Sequence, residues 1–453
     1  MNETVTPTRD YVLGPNASLR YVTPGVPGQP DFQIGSNASI VDAVFNFPRE
    51  SVVSARTDLR NVRLDLQNLD AGDVNVVRAG RDIRYTDAYQ NGLVDVAGGG
   101  YVRIGGPGRL LVQAGRDIDL GASEGVNALG NNSNTSLPSS RSTALTMMAG
   151  VTKRIDFAAI DSLFAQLKAA GLEQDAAAGQ AAIDRVFNSE NTAPGSITMY
   201  LSQVRTQGGS GIDLLTPSGD INAGLPVSPS GRVVGISTTF GGDIRSYLSG
   251  DFNVNQSKVI TLIGGDIFMY TSHGNIDAGR GARDSRTTQA PKRVAILDEK
   301  GQPTGLFTFV PPADASGSGI RSLTFDPDGP GPLATPAPGN IFLFAPQGFI
   351  DAGEAGVSSA GNIFVAALQV LNASNFSAGG SSVGVPPASS GGLSAGLSGA
   401  SSVGASAAKS AEDATKSLSG APAPTVQKDP VRPSFLTVEV VGMGDEEEKK
   451  ERK

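Results

Sequence analysis

Residues 265–279 read Gly265-Asp266-Ile267-Phe268-Met269-Tyr270-Thr271-Ser272-His273-Gly274-Asn275-Ile276-Asp277-Ala278-Gly279. One phrase occurs twice in this stretch: glycine, then Asp or Asn, then isoleucine. A longer unit, from a leading Ile to a closing Ala-Gly, is repeated at 212–224 and 341–353, and in all three copies 12 positions separate the first Ile from the last Gly. The short phrase also stands at Gly80-Arg81-Asp82-Ile83, Gly115-Arg116-Asp117-Ile118, Gly219-Asp220-Ile221, Gly242-Asp243-Ile244, Gly250-Asp251-Phe252, Gly339-Asn340-Ile341 and Gly361-Asn362-Ile363.

Spacing turns the phrase into an architecture. Gly219, Gly242 and Gly265 lie 23 apart, and Gly339 and Gly361 lie 22 apart, with further turn glycines at intervals of 8 or 9 inside each unit. Three strands of four or five residues and three tight turns fill such a unit, which is one coil of a parallel β-helix. Glycine enters positive φ without steric cost, and Asp or Asn bonds nearby backbone at a turn. The expected fold is all-β, a solenoid of about nine coils. Its inner stack is expected to hold Ile212, Ile221, Ile244, Ile267, Ile276, Ile341, Ile350 and Ile363, one above the next. Alternation turns Ile267, Met269, Ile341 and Leu343 inward. Phe268, Tyr270, Phe342 and Phe344 then face outward as a candidate contact strip, unless inserted helices cover them.

The repeat is interrupted. Residues 1–54 lack the phrase and read as an irregular segment. Coils are expected over 55–142, 191–280 and 317–377, with 124–142 as a polar loop. Residues 143–190 are Ala-rich, with Ile155, Ala159, Leu163, Phe164 and Leu167 at helical spacing and a second helix over 176–187, which predicts an inserted helical hairpin. Residues 281–316 read as a loop insert, 378–434 as a flexible Gly/Ser/Ala/Pro-rich linker, and 435–453 as a last strand with a charged tail.

Composition agrees with many short strands. The 453 residues include 58 Gly and 28 Pro, no Cys and no Trp, and a single histidine, His273. A net charge of −8 gives the chain no electrostatic reason to bind nucleic acid. Without cysteine there is no disulfide, thiolate metal site or thiol nucleophile, which suits a chain that crosses a pore unfolded. No apolar run reaches the ~20 residues of a membrane-spanning helix, and the first residues lack the pattern of a signal peptide.

Catalytic, cofactor and metal residues are all assigned as none. His273 sits before a turn glycine, where the sister copies carry Ser218 and Gln347, and reads as a variable turn residue. The recurrent Asp82, Asp117, Asp220, Asp243 and Asp266 could line up as a calcium or acid row, as in a β-helix polysaccharide lyase or hydrolase. Their interchange with Asn favours a turn-bonding role, since acid–base work needs the charge. The calcium nonapeptide of repeat toxins requires tandem nine-residue spacing, which is not met.

The run Asp58-Leu59-Arg60-Asn61, with Gln67-Asn68-Leu69, Asp73-Val74 and Ala79-Gly80-Arg81-Asp82-Ile83, resembles the carboxyl-terminal region of the filamentous haemagglutinin family of bacterial exoproteins. The Gly-Asn-Ile and Ile-Asp-Ala-Gly phrases and Leu436-Thr437-Val438-Glu439-Val440 continue the likeness, which covers most of 55–375 plus that strand. The resemblance implies a right-handed parallel β-helix at the surface of a Gram-negative bacterium or secreted from it. It implies export through an outer-membrane two-partner secretion transporter, and adhesion or aggregation through a host or neighbouring-cell receptor or glycan. The family's signal peptide and secretion domain have no counterpart in these residues, so it also implies a piece of a longer protein. The alternatives are a β-helix carbohydrate-active enzyme and a rod-capping export segment without a ligand.

Overall fold

A computed structural model describes residues 17–21, 30–85, 100–131, 137, 142–225, 235–280, 292–297, 302–310, 318–326 and 335–387. All lie in one compact unit, Met1–Ala388. They form a parallel β-helix. Each coil contributes a strand of about five residues to a first sheet, a two-residue corner strand, and a strand to a second sheet. Ile244–Leu248, Phe252–Asn253 and Lys258–Thr261 are one such coil. The second sheet has ten strands, one more coil than expected from the sequence, so nine spacings of ~4.8 Å stack the rungs over about 43 Å.

Rung stacking splits the expected isoleucine stack into two columns. In the first sheet Ile212 pairs with Ile244, Ile244 with Ile267, Ile267 with Ile341, and Ile341 with Ile363. At the corner, Ile221 pairs with Phe252, Phe252 with Ile276, and Ile276 with Ile350. Ile221 therefore does not lie over Ile244, which corrects the single stack. The phrase of glycine, Asp or Asn and an apolar residue stands at both corners of the coils that begin at Ile244 and Ile267, and at one corner of several others, so one phrase feeds two columns. Both columns belong to one continuous inner core.

Several boundaries differ from expectation. Phe32–Ser36, Ile40–Val41 and Val44–Asn46 form a full first coil rather than an irregular segment. Ala17–Tyr21 lies antiparallel on Phe32–Ser36. That coil uses Ser39 where later coils use Asp: its hydroxyl accepts the Asp58 N–H at 3.3 Å. Its lumen holds Phe32 and Phe47, with ring centroids 5.5 Å apart, beside Ile34 and Ile40, which continue the aliphatic columns onto Val53 and Leu59.

The expected loop 124–142 contains the strand Gly125–Gly130, paired with Tyr101–Gly105, with Val126 and Ala128 turned into the core. Its Gly and Asn content hid that alternation. The expected helical insert likewise begins with a strand, Ala144–Met148, a rung of the first sheet. Residues 281–316 include two antiparallel strands, Lys292–Leu297 and Pro303–Val310, rather than loop alone. Phe376–Ala378 and Ser382–Val383 extend the pairing past residue 377. The linker from 388 onward and the strand and tail at 435–453 lie outside the described residues.

Candidate functional site

The repeated acids form two backbone-bonding ladders. At the corner, Asp58 Oδ1 accepts the Asp82 N–H (3.4 Å) and Asp82 Oδ1 that of Asp117 (3.2 Å). Asp117 Oδ1 accepts the Ser196 N–H at 3.0 Å. Farther along, Asp220 Oδ1 accepts from Asp251, Asp251 from Asn275 and Asn275 from Phe349, at 2.8, 2.8 and 3.0 Å. The second ladder runs from Asp243 to Asp266 to Asn340 to Asn362, with bonds of 2.8, 2.8 and 2.9 Å. Each bond needs one side-chain oxygen and no charge, which is why Asp and Asn interchange.

The glycine before the acid has an equally direct cause. A Cβ on Gly274 would lie 2.0 Å from the Gly250 carbonyl oxygen, and one on Gly348 would lie 1.9 Å from that of Gly274. Only glycine lets rungs approach to hydrogen-bonding distance there.

Arginines clip the amino-terminal corner from outside. Arg81 Nε and Nη2 hold Asp58 at 2.7 and 2.6 Å, and Arg116 Nε holds Asp82 at 2.8 Å. The Arg81 bond holds the Asp58 carboxyl below the usual carboxylate range, against an opposing push from burial. A groove of about 400 Å³ runs along this corner, lined by Arg116, Asp117, Ser196, Asp220 and Ser249. The Asp117 and Asp220 carboxylates in it already accept backbone N–H groups. His273 Nδ1 sits 3.0 Å from Ser272 Oγ and 3.4 Å from Ser249 Oγ. Among the described residues no group of acids and histidine is arranged to hold a metal ion.

The four candidate contact aromatics are not exposed. Phe268, Tyr270, Phe342 and Phe344 are 4%, 2%, 4% and 1% accessible, beneath helices α1 (Phe157–Glu173) and α2 (Ala176–Val186). They face outward from the first sheet and pack with Leu163, Phe164, Leu167, Ala182 and Ile183 in a second core. Ile155 belongs to that core but precedes the helix. Asp156 caps α1 by accepting the Ala158 N–H, and Asp175 caps α2 by accepting that of Ala178.

Charges align the helix on the sheet. Arg245 holds Asp213 on the neighbouring rung (2.7 and 2.9 Å) and Asp161 of α1 (2.7 Å), and its guanidinium lies 4.6 Å from the Phe164 ring centre. Burial opposes the Arg245 charge, but bonds and charges from both carboxylates outweigh it and keep the group protonated. Lys168 reaches Asp266 at 3.2 Å and sits 3.8 Å over the Phe342 ring. Tyr247, Phe187 and Phe364 complete the layer; Phe187 and Tyr247 stack at 5.6 Å, and Phe342 and Phe364 at 4.9 Å. Tyr247 and Phe364 occupy the outward places of the same repeat phrase, which is the signal that would have found them.

The second sheet carries an outward polar group that the repeat phrase did not flag. Tyr101 Oη donates to Asp65 at 2.9 Å, and the Arg103 guanidinium lies 4.1 Å over the Tyr101 ring while pairing with Glu124. Asp65 and Arg103 line a cleft of about 420 Å³ together with Asn46, Phe47 and Gln67.

Residues 264–387 match a family described as filamentous haemagglutinin family outer membrane protein. The match takes in the aromatic rungs Ile267–Thr271, Ile341–Asp351 and Ile363–Leu371 and leaves out the helix pair. It is shorter than the resemblance read from the sequence. No curated protein and no solved structure matches the chain.

Proposed function

We propose, from the similarity of residues 264–387 to filamentous haemagglutinin family outer membrane proteins, that this chain is a non-enzymatic segment of a cell-surface adhesin. It acts in attachment or aggregation after export by two-partner secretion. The supporting observation is the commitment of the repeated carboxylates. Along the corner groove, where a lyase or hydrolase would need paired acids, Asp117 and Asp220 are spent on joining rungs. What remains is a long wall suited to weak, repeated contacts, with the cleft beside Tyr101 and Arg103 as its contact point.

Displaying the protein on cells that otherwise do not attach tests this. Attachment or clumping is expected to rise, and Tyr101→Ala with Arg103→Ala is expected to reduce it without loss of folded protein. No gain in attachment would refute the adhesin. Release of sugar ends from acidic polysaccharides, with or without calcium, would refute the non-enzymatic assignment.

A further inference from the structure

The inserted helices branch from the middle of the rod yet pack chiefly on coils made later in the chain. The neck of the insertion is closed by the bridge between Val151 and Thr192, beside the rung Ala144–Met148. From there α1 runs along the rod. Phe157 near its start lies under Arg109, Asp161 meets Arg245, Phe164 meets Phe268, Lys168 meets Asp266 and Phe342, and Gly171 abuts Phe344. Its 17 residues are about 25 Å long, close to five rungs at ~4.8 Å. One helical turn of ~5.4 Å nearly matches one rung, so successive turns of the helix meet successive coils.

Coils of a solenoid ordinarily touch only their neighbours. Here a single helix ties rungs that are hundreds of residues apart in order of synthesis, and its apolar face has no complete seat until Ile341–Asp351 is in place. Its far end borders open space. A cavity of about 270 Å³ lies there, lined by Ala170, Gly171, Tyr270, Phe344, Val365 and Leu368.

We propose that the helix pair is a splint hinged at its neck, which docks only after the late coils have formed and then makes the rungs beneath it open as one unit. This follows from packing alone and does not depend on adhesion.

Pulse-labelled hydrogen exchange during refolding of the full chain tests the order. Amides of Phe157–Glu173 and Ala176–Val186 are expected to gain protection together with Ile341–Asp351, and after Ile212–Thr216 and Ile244–Leu248. Helix protection preceding that of Ile341–Asp351 would overturn the proposal. Native-state exchange of Gly171→Ala tests the coupling by its sign. Alanine favours an independent helix, but its Cβ would lie 2.0 Å from the Phe344 ring. A splint therefore exchanges faster in both helices, by roughly tenfold or more, with Ser51–Ala55 unchanged. Slower or unaltered helix exchange would overturn it, and this measurement stands even if the chain does not refold.

Discussion

Asp220 and Asn275 hold equivalent corner positions and give their side-chain oxygens to the next rung's N–H in the same way, at 2.8 and 3.0 Å. If the oxygen alone matters, Asp220→Asn should leave the urea midpoint within about 0.5 kcal/mol of the parent, while Asp220→Ala should cost about 1–2 kcal/mol by stranding the Asp251 N–H. An equal loss in both would show that charge matters there. Asp58 differs, because Arg81 binds it as an ion. Its folded-state pKa is depressed, so its contribution is complete above its unfolded value near ~3.9 and is lost as pH falls through the folded value. Asp58→Asn should thus be less stable than the parent at pH ~7, with the gap closing as both are acidified below pH ~3. Chemical denaturation at the two pH values checks this.

Helix α1 is marginal alone: at 17 residues it owes its stability to burying one face. Leu163 is 0% accessible within the second core. Leu163→Ala should therefore lower stability by about 2–5 kcal/mol, read from a denaturant midpoint. A loss under about 1 kcal/mol would mean that the site collapses around the smaller side chain or that the helix is loosely seated. The helices were legible from the spacing of Leu163, Phe164 and Leu167 and from their Ala content. Their seat was not. Whether Phe268, Tyr270, Phe342 and Phe344 meet solvent or a helix depends on how α1 lies across the rungs, and no local pattern encodes that direction.

The rod combines two kinds of stability. Among the described residues, the rungs Phe32–Ser36 and Ser51–Ala55 pair with neighbouring strands and lie outside the second core, whereas those from Arg109–Ala114 to Ile363–Leu371 share the helix above them. Hydrogen exchange in a denaturant series should show the first pair opening at lower denaturant and independently, and the second group opening together. Uniform opening along the whole rod would contradict this.

The periodicity of glycine, acid and isoleucine was enough to establish a parallel solenoid, because most coils repeat the same three constraints: a close approach only glycine allows, a backbone N–H to satisfy, and an inner place to fill. Tertiary structure alone decided the rest. It divided the isoleucines between two columns, since one phrase serves two corners. It also recruited residues 32–46 and 125–130 as rungs without the phrase, because luminal packing and a neighbouring strand can replace the missing turn signal. And it covered the aromatic strip, since burial against a distant segment is a property of the assembled surface rather than of any stretch of chain.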